Sequence, residues 1–242
     1  MPNYRLLLEY DGSHFFGWQI QPGLRTVQGE LEDAVQTLTK ERVRIHCAGR
    51  TDRGVHALGQ VANFKLQDYW QPEKIQHALN GITDKDIAVL NVELVPDEFH
   101  ARFDARARQY IYFFSMRPVA VGRHYTFYCK FDLDLQAMRA AAEHLYGEHH
   151  FEAFSQKTPE EKHYLSHIEL IEWERQGDRI GFRIRANRFL HNMVRIIMGT
   201  LIQVGRGKLT PDDFGNILAA RSRDHIGFKA PAHGLFLEKV FY

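Results

Sequence analysis

The sequence has little cysteine, no long apolar run and no low-complexity stretch. Its 242 residues include two cysteines, too few for a disulfide scaffold or a cysteine zinc site. No apolar run approaches the roughly 20 residues that a membrane-spanning helix needs, and the first residues lack the apolar core of a signal peptide. The sequence therefore predicts a cytoplasmic protein that makes no membrane contact.

Motifs of several large enzyme classes are missing as well. The sequence contains no GxxxxGK[ST] phosphate loop, no GxGxxG after a strand, no HExxH and no GxSxG. The run Glu148-His149-His150 is a weak metal candidate, because adjacent side chains point apart on a strand or a helix. We therefore predict neither a metal nor a nucleotide cofactor.

What is present is an ordinary globular composition with an uneven distribution of charge. Hydrophobic residues are 44% and charged residues 25%, which fits one large domain or two small ones. The net charge is +1, yet residues 175–223 (the basic segment) hold ten Lys and Arg against three Asp and Glu. Guanidinium groups match phosphate oxygens two at a time, so the segment indicates either a phosphate-binding surface or a solvated basic face.

Hydrophobic periodicity predicts strands and helices in irregular alternation. Strands are expected at 4–10, 43–47, 61–66, 87–94, 109–115, 167–174, 179–185 and 235–241, and helices at 27–38, 72–79, 135–146, 193–204 and from 211 onward. This mixture favours an α+β fold with mainly antiparallel sheets. A break near residue 104 divides the chain into 1–104 and 105–242, and both halves run strand, loop, helix, strands, as a duplicated fold would.

Residues 49–57 form the most unusual segment for chemistry. Asp52 stands between Arg50 and Arg53, and two glycines bracket the group. Neighbouring cations favour an ionised carboxylate at neutral pH, and glycines allow sharp turns and close approach of a ligand. Such a carboxylate serves as a nucleophile, as a base or as one half of an ion pair, and the pattern alone leaves these alternatives open.

Two further segments combine cations with aromatic rings. Arg106, Arg108, Tyr110 and Tyr112 share one face of a predicted strand, and single-stranded RNA is commonly held by stacking on rings and by pairing with guanidinium groups. Packing into a core is the alternative, above all for Tyr112. Arg195 lies near the apolar face of a predicted helix, where it must find an anion or reach water.

Taken together, six segments in order resemble the tRNA pseudouridine synthase A family, whose members isomerise uridines at tRNA positions 38, 39 and 40. They are residues 10–19 (YDGSHFFGWQ), 26–32 (TVQGELE), 49–57 (GRTDRGVHA), 108–112 (RQYIY), 189–195 (FLHNMVR) and 230–237 (APAHGLFL). Two positions depart from the family pattern: Arg53 fills a slot often held by a small residue or lysine, and Phe236 one that is often tyrosine.

The resemblance implies an α+β fold of two similar halves, whose sheets meet at a central RNA-binding cleft with helices on the outer faces. It implies a homodimer in which tRNA touches both subunits. It assigns Asp52 as the catalytic carboxylate, Tyr110 as the ring that stacks on the target uracil and as a candidate base at its C5, and Arg195 as the cation that pairs with Asp52. Arg50 is expected to help hold the target nucleotide out of its stack. The reaction retains every atom of uridine, which agrees with the absence of cofactor motifs.

Two other function classes are weighed against this one. A non-catalytic tRNA-binding module on the same scaffold would not need the Asp52 carboxylate, which is present. A glycoside hydrolase would usually need a second carboxyl group for proton transfer, and none lies in the matched segments.

Overall fold

The structure, a computed structural model, describes residues 1–157, 163–223 and 226–242. Its elements in chain order are β1 (Asn3–Tyr10), α1 (Val27–Thr39), β2 (His46–Cys47), β3 (His56–Lys65), α2 (Pro72–Ile82), β4 (Ile87–Val95), β5 (Ala107–Ser115), β6 (Phe127–Tyr128), α3 (Leu135–Glu143), β7 (Gly147–His150), β8 (Leu165–Gln176), β9 (Arg179–Ala186), α4 (Met193–Gly205), α5 (Pro211–Ala220) and β10 (Leu235–Phe241). Each helix in the described ranges is too short or too polar to cross a membrane.

The chain divides into two compact units. The first comprises Met1–Arg106 and Phe236–Tyr242, and the second comprises Ala107–Leu235. The division near residue 104 that the sequence suggested left the last strand in the C-terminal half. In the structure β10 belongs with the first unit from Phe236 onward, because its start pairs in parallel with β3 at His56 and Ala57.

The first unit is built on the order β-α-β-β-α-β. Strand β1 lies antiparallel between β3 and β4, and β2 pairs antiparallel with β3. The resulting strand order, β4-β1-β3-β2, is that of a split βαβ fold. Such a sheet carries its helices on one face, and β1 accordingly buries Tyr4, Leu6 and Leu8 while Leu7 and Glu9 stay exposed.

Local signals in the sequence explain where the helices of the first unit begin. Helix α1 starts after Thr26, whose side chain accepts a hydrogen bond from the Gly29 N–H, as an N-cap residue does. Helix α2 has Pro72 at its first position, where no N–H is needed. Leu31 and Val35 of α1, and Ile75 of α2, are buried and supply the helical side of the core.

With β6 and β7 as additions, the second unit repeats the order strand, helix, two strands, helix. Strand β9 lies antiparallel between β5 and β8, β7 pairs antiparallel with β8, and β6 runs parallel to β5. The β5-α3-β8-β9-α4 series thus parallels β1-α1-β2-β3-α2 of the first unit. The prediction of an α+β chain with mainly antiparallel sheets and two similar halves is confirmed.

Helix α4 forms the centre of the second core. Eleven of its 13 residues are buried, and α3 and α5 both pack against it. Close packing requires glycine at position 199, where a Cβ would overlap the Phe228 carbonyl oxygen. The apolar face of residues 193–204 predicts this helix, and the structure confirms it.

Several predicted boundaries were wrong. Strand β3 begins at His56 instead of residue 61, β2 covers two residues, α2 runs to Ile82 instead of residue 79, and α3 ends at Glu143 instead of residue 146. Strand β7 was not predicted. The polar side chains of β7 carry no strand signal, because the strand depends on its backbone ladder with β8. The early start of β3 places His56 and Ala57 of the GRTDRGVHA segment on a strand.

Candidate active site

Asp52 lies in the connection between β2 and β3, at the base of a tight turn. The Val55 N–H donates to the Asp52 carbonyl oxygen over 3.1 Å. Gly54, the third residue of the turn, has φ +76°, a conformation that suits glycine at this position. The Asp52 side chain is half-buried, while Arg50 and Arg53 on either side are exposed. The turn therefore fixes the backbone of the carboxylate and leaves the two cations at the surface.

Residues 10–19, the first of the matched segments, contact the backbone next to this turn. The Trp18 N–H donates to the Thr51 carbonyl oxygen over 3.0 Å, and the Tyr10 and Thr51 hydroxyl oxygens lie 2.8 Å apart. Gly17 has φ +94°, and a Cβ there would lie 2.7 Å from the Thr51 carbonyl oxygen. Residues 10–18 are thus a scaffold on which the Asp52 segment rests backbone against backbone.

His56 connects three of the matched segments in the first unit. The Gly12 N–H donates to His56 Nδ1 over 3.0 Å, and a Cβ at Gly12 would overlap the Val55 carbonyl oxygen. The fully buried imidazole stacks on the Phe236 ring at 4.6 Å between centroids. The opening and closing motifs therefore meet at the end of the Asp52 segment.

Cys47 is the other potential nucleophile near this segment. Burial raises the pKa of its thiol to about 12, and the positive charge of Arg50 only partly offsets this. A thiol with such a pKa stays protonated and inert at neutral pH. The carboxylate of Asp52 is therefore the better candidate for chemistry in this loop.

In the second unit, Tyr110 lies on β5 opposite Ile184 of β9 and is 7% exposed. The rings of Tyr110 and Phe189 make a T-shaped contact, with their centroids 5.0 Å apart. Tyr112 is fully buried, donates its hydroxyl to the Pro231 carbonyl oxygen over 2.9 Å, and has its pKa raised by burial. Both tyrosines are buried, and Tyr112 is the one with no exposed surface.

Of the two arginines grouped with these tyrosines, Arg108 shares their strand and Arg106 does not. Arg106 precedes β5 and lies in the first unit, where its N–H donates to the Phe241 carbonyl oxygen. Arg108 is on β5, and its Nη1 donates to the Asn187 carbonyl oxygen over 3.0 Å. Strand β5 therefore carries Arg108, Tyr110 and Tyr112 at alternate positions, and Arg106 lies outside it.

Arg195 lies in the first turn of α4 and is half-buried. Its Nε donates to the Ala230 carbonyl oxygen over 2.8 Å, and its Nη1 donates to Asn192 Oδ1 over 3.1 Å. Asn192 has φ +61°, and its amide donates to Gln156 Oε1 over 2.8 Å. These two acceptors are neutral, so they orient the guanidinium without cancelling its charge.

Part of the charge of the basic segment is compensated by its neighbour strand. Arg183 pairs with Glu172 and Glu174 of β8 at 3.1 and 2.9 Å, and Arg185 pairs with Glu169 at 3.1 Å. The glutamates lie just outside residues 175–223, so a count along the sequence separates them from their partners. Arg183 and Arg185 therefore contribute less to a phosphate-binding surface than the local charge of +7 implied.

Among the described residues, three carboxylates at Glu30, Asp84 and Asp86 lie close enough together to share a cation. That cation is a protein side chain, because Arg25 pairs with all three at 2.9, 3.0 and 2.6 Å. These residues hold the end of the opening loop and do not form a metal site.

The comparison with protein families now bears on these two regions. A family model described as tRNA pseudouridine synthase matches residues 7–104 and 141–242. The chain belongs to the tRNA pseudouridine synthase family, a class of isomerases that convert uridine to pseudouridine.

Curated relatives named tRNA pseudouridine synthase A match over nearly the whole chain. The protein of Bacillus licheniformis is 42% identical over 239 residues, 97% of each chain. That of Brachyspira hyodysenteriae is 42% identical over 247 residues, 100% of this chain and 99% of its own, and that of Bacillus pumilus is 44% identical over 239 residues. Among solved structures, one titled "Crystal Structure of a Cbf5-Nop10-Gar1 Complex" aligns with 82% of this chain and 54% of that chain at 11% identity, with a TM-score of 0.34, too low to support a conclusion.

The predicted site residues fall into both units. Asp52 and Arg50 share one loop of the first unit, and Tyr110 and Arg195 belong to the second; their catalytic and binding roles stay predictions. The sequence alone gave no role to Gly17 and His56, which support the Asp52 segment, or to Asn192, which accepts a hydrogen bond from Arg195. A glycine before Trp18 and an asparagine at the start of a helix both indicate a left-handed backbone conformation, and this signal points to Gly17 and Asn192.

Proposed function

We propose that this protein isomerises uridine to pseudouridine at positions 38, 39 and 40 in the anticodon stem-loop of tRNA, with Asp52 as the catalytic carboxylate. The observation that carries the proposal is the Asp52 turn: a half-buried carboxylate between two exposed arginines, held by backbone contacts to residues 10–18. Membership of the family supports the type of reaction, and the geometry of the turn supports Asp52 as the carboxylate that performs it.

The reaction balances without an added reagent. The bond between N1 of uracil and C1′ of ribose breaks, the base turns, and C5 is joined to C1′. The C5 proton leaves and N1 gains one, so no atom is lost from the nucleoside. An ionised Asp52 attacks C1′, attacks C6 or removes the proton at C2′, and each route uses the same carboxylate.

Tyr110, Arg195 and Arg50 are proposed to bind the target nucleotide. The edge contact with Phe189 fixes the plane of the Tyr110 ring, which suits a ring that stacks on uracil. Arg195 is proposed to pair with Asp52 and favour its ionised form. The exposed Arg50 is proposed to hold the nucleotide out of its stack, since the enzyme must extrude the base before it reacts.

The homodimer and its shared tRNA are likewise proposed, together with a cytoplasmic location. The family resemblance supports them. Sedimentation of the protein with and without tRNA tests the stoichiometry, and a monomer bound to one tRNA would contradict the dimer.

The direct test of the function is to incubate the protein with unmodified tRNA and to map pseudouridine by chemical footprinting. We expect pseudouridine at positions 38 to 40 and no free uracil. Release of the base would instead identify a glycoside hydrolase, and binding without isomerisation would identify a tRNA-binding module. No metal or nucleotide cofactor is proposed, so activity should survive chelation once the tRNA is folded.

A further inference from the structure

We propose that Arg53, held on the ring of Phe16, binds the phosphate that flanks the target uridine in the tRNA. The inference rests on the proposed function, because it takes Asp52 as the residue that meets the target. Arg53 is also the position at which the chain departs from the small residue or lysine often found in the family.

Geometry brings the two side chains together. Arg53 is at the exposed tip of the turn from Asp52 to Val55, and its Cζ lies 4.3 Å from the centroid of the half-buried Phe16 ring. Gly17 fixes this arrangement, because a Cβ there would lie 3.2 Å from the Arg53 nitrogen. The backbones of the two loops touch, and the ring beside Gly17 is thereby held under the guanidinium.

The charge of this guanidinium is available to a ligand. Arg25 stacks on Phe15 in a similar way, at 4.2 Å, but three carboxylates neutralise it. Arg53 has no ion pair with any of the residues that the structure describes. A guanidinium stacked on a ring at one face keeps its N–H edge for a phosphate, and little rotamer freedom is left to lose on binding.

A phosphate is the part of RNA that this position fits best. Arg53 follows Asp52 directly, so a nucleotide reacting at Asp52 brings its own backbone to Arg53. An enzyme that acts at three successive positions needs contacts that do not read the base, and phosphate contacts position RNA without carrying sequence information. The pair Arg53–Phe16 therefore acts as a positioning contact for the backbone beside the target.

The first test is the salt dependence of tRNA binding by Arg53→Ala, with Arg42→Ala as a control that removes another exposed arginine of the first unit. Loss of one phosphate contact should lower the slope of log K against log salt by about 0.7–0.9 and raise Kd about five- to eightfold at ~0.1 M salt. KM should rise while kcat stays within about twofold, a split that damage to the Asp52 turn would not give. Arg53→Lys should recover the slope, since it keeps the charge.

The second test locates the phosphate. Single methylphosphonates, which remove one backbone charge, are placed on either side of the target uridine in an anticodon stem-loop RNA. At one of the two positions the difference in Kd between wild type and Arg53→Ala should disappear. Phe16→Leu should weaken binding less than Arg53→Ala, because the cation remains but its orientation is lost.

Wild-type Kd and slope in Arg53→Ala would overturn the proposal. So would an equal change in Arg42→Ala, or an Arg53 effect that survives both methylphosphonates. The proposed function fails by a different result, which is the absence of pseudouridine from wild-type reactions.

Discussion

The two regions that carry the predicted site residues are constructed in different ways. In the first unit, the Asp52 turn rests on residues 10–18 through backbone contacts that only glycine permits, at Gly12 and Gly17. In the second unit, the ring of Phe189 contacts Tyr110, and Arg195 is oriented by the side chain of Asn192 together with the Ala230 carbonyl oxygen. Where two backbones touch, a substitution that adds a Cβ displaces a whole segment. Where side chains hold a residue, a substitution removes one interaction and leaves the rest in place.

This difference predicts how each region responds to substitution. A change under the Asp52 turn should alter stability and activity together, because the same backbone serves both. A change beside Tyr110 or Arg195 should separate them.

The largest effect on stability is expected for Gly17→Ala. The new Cβ would meet the Thr51 carbonyl oxygen at 2.7 Å and also impose φ +94° on alanine. Overpacking together with left-handed strain should reduce the free energy of unfolding by about 2–4 kcal/mol. Gly23→Ala is the matched control, because Gly23 has φ +72° but no atom within 4 Å of its Cβ position.

For Gly23→Ala the strain alone should cost about 1 kcal/mol in denaturant unfolding. Equal losses in the two variants would show that backbone contact does not hold the Asp52 turn, and the contrast between the regions would fail.

The next effect is expected at Tyr110, where activity should fall and truncation to alanine should also cost stability because the ring is buried. Tyr110→Ala deletes both the hydroxyl and the stacking surface, and loss of stacking alone should lower kcat/KM about 5- to 150-fold, which corresponds to about 1–3 kcal/mol. Tyr110→Phe keeps the ring and isolates the hydroxyl. If the hydroxyl accepts the C5 proton, the Phe variant should slow by about 10²- to 10⁴-fold and become sensitive to deuterium at C5; if the ring only stacks, it should match wild type. Wild-type turnover by the Ala variant would place Tyr110 outside the active site.

Next in size is the effect of Asn192→Gly. Glycine adopts the φ of +61° without strain but loses the acceptor for Arg195 Nη1. A hydrogen bond to a charged group contributes about 1.5 kcal/mol, so kcat should fall about tenfold. The same substitution in an Arg195→Ala background should have no further effect. An equal loss in that background would mean that Asn192 acts on the helix and not through Arg195.

The smallest effect is expected for Tyr112→Phe, two residues from Tyr110 on the same strand. The change removes only the hydroxyl bond to the Pro231 carbonyl oxygen, which should cost about 1 kcal/mol of unfolding free energy. Turnover should be unchanged. A tenfold loss of turnover would bring Tyr112 into the site and end the distinction between the two tyrosines.

Sequence patterns predicted the elements that depend on local signals. Thr26 and Pro72 mark helix starts that the structure confirms, and the helix predicted from residue 211 onward begins after Thr210, whose side chain accepts from the Asp213 N–H. The apolar face of α4 was evident from its period. Strand β7 was missed because its residues are polar and its pairing is remote in sequence.

The same limit applies to the candidate site. The Asp52 segment stands out because glycines and alternating charges lie next to each other in sequence. The ion pairs of Arg183 and Arg185 with β8 were not predictable from the charge count, since the partners come together only in the sheet. Asn192 gives no sign of its contact with Arg195 until its backbone conformation is known.

The central claim, that Asp52 is the group that performs the isomerisation, is tested most directly by Asp52→Asn. The amide is nearly isosteric and keeps the turn, but it neither attacks carbon nor accepts a proton as a carboxylate does. With unmodified tRNA, the variant should form no pseudouridine at positions 38 to 40 while its Kd for tRNA stays within a few-fold of wild type, because binding rests on many phosphate contacts. A catalytic group of this kind usually accelerates a reaction at least about 100-fold. Turnover by the variant above about one-hundredth of the wild-type rate would therefore contradict the account.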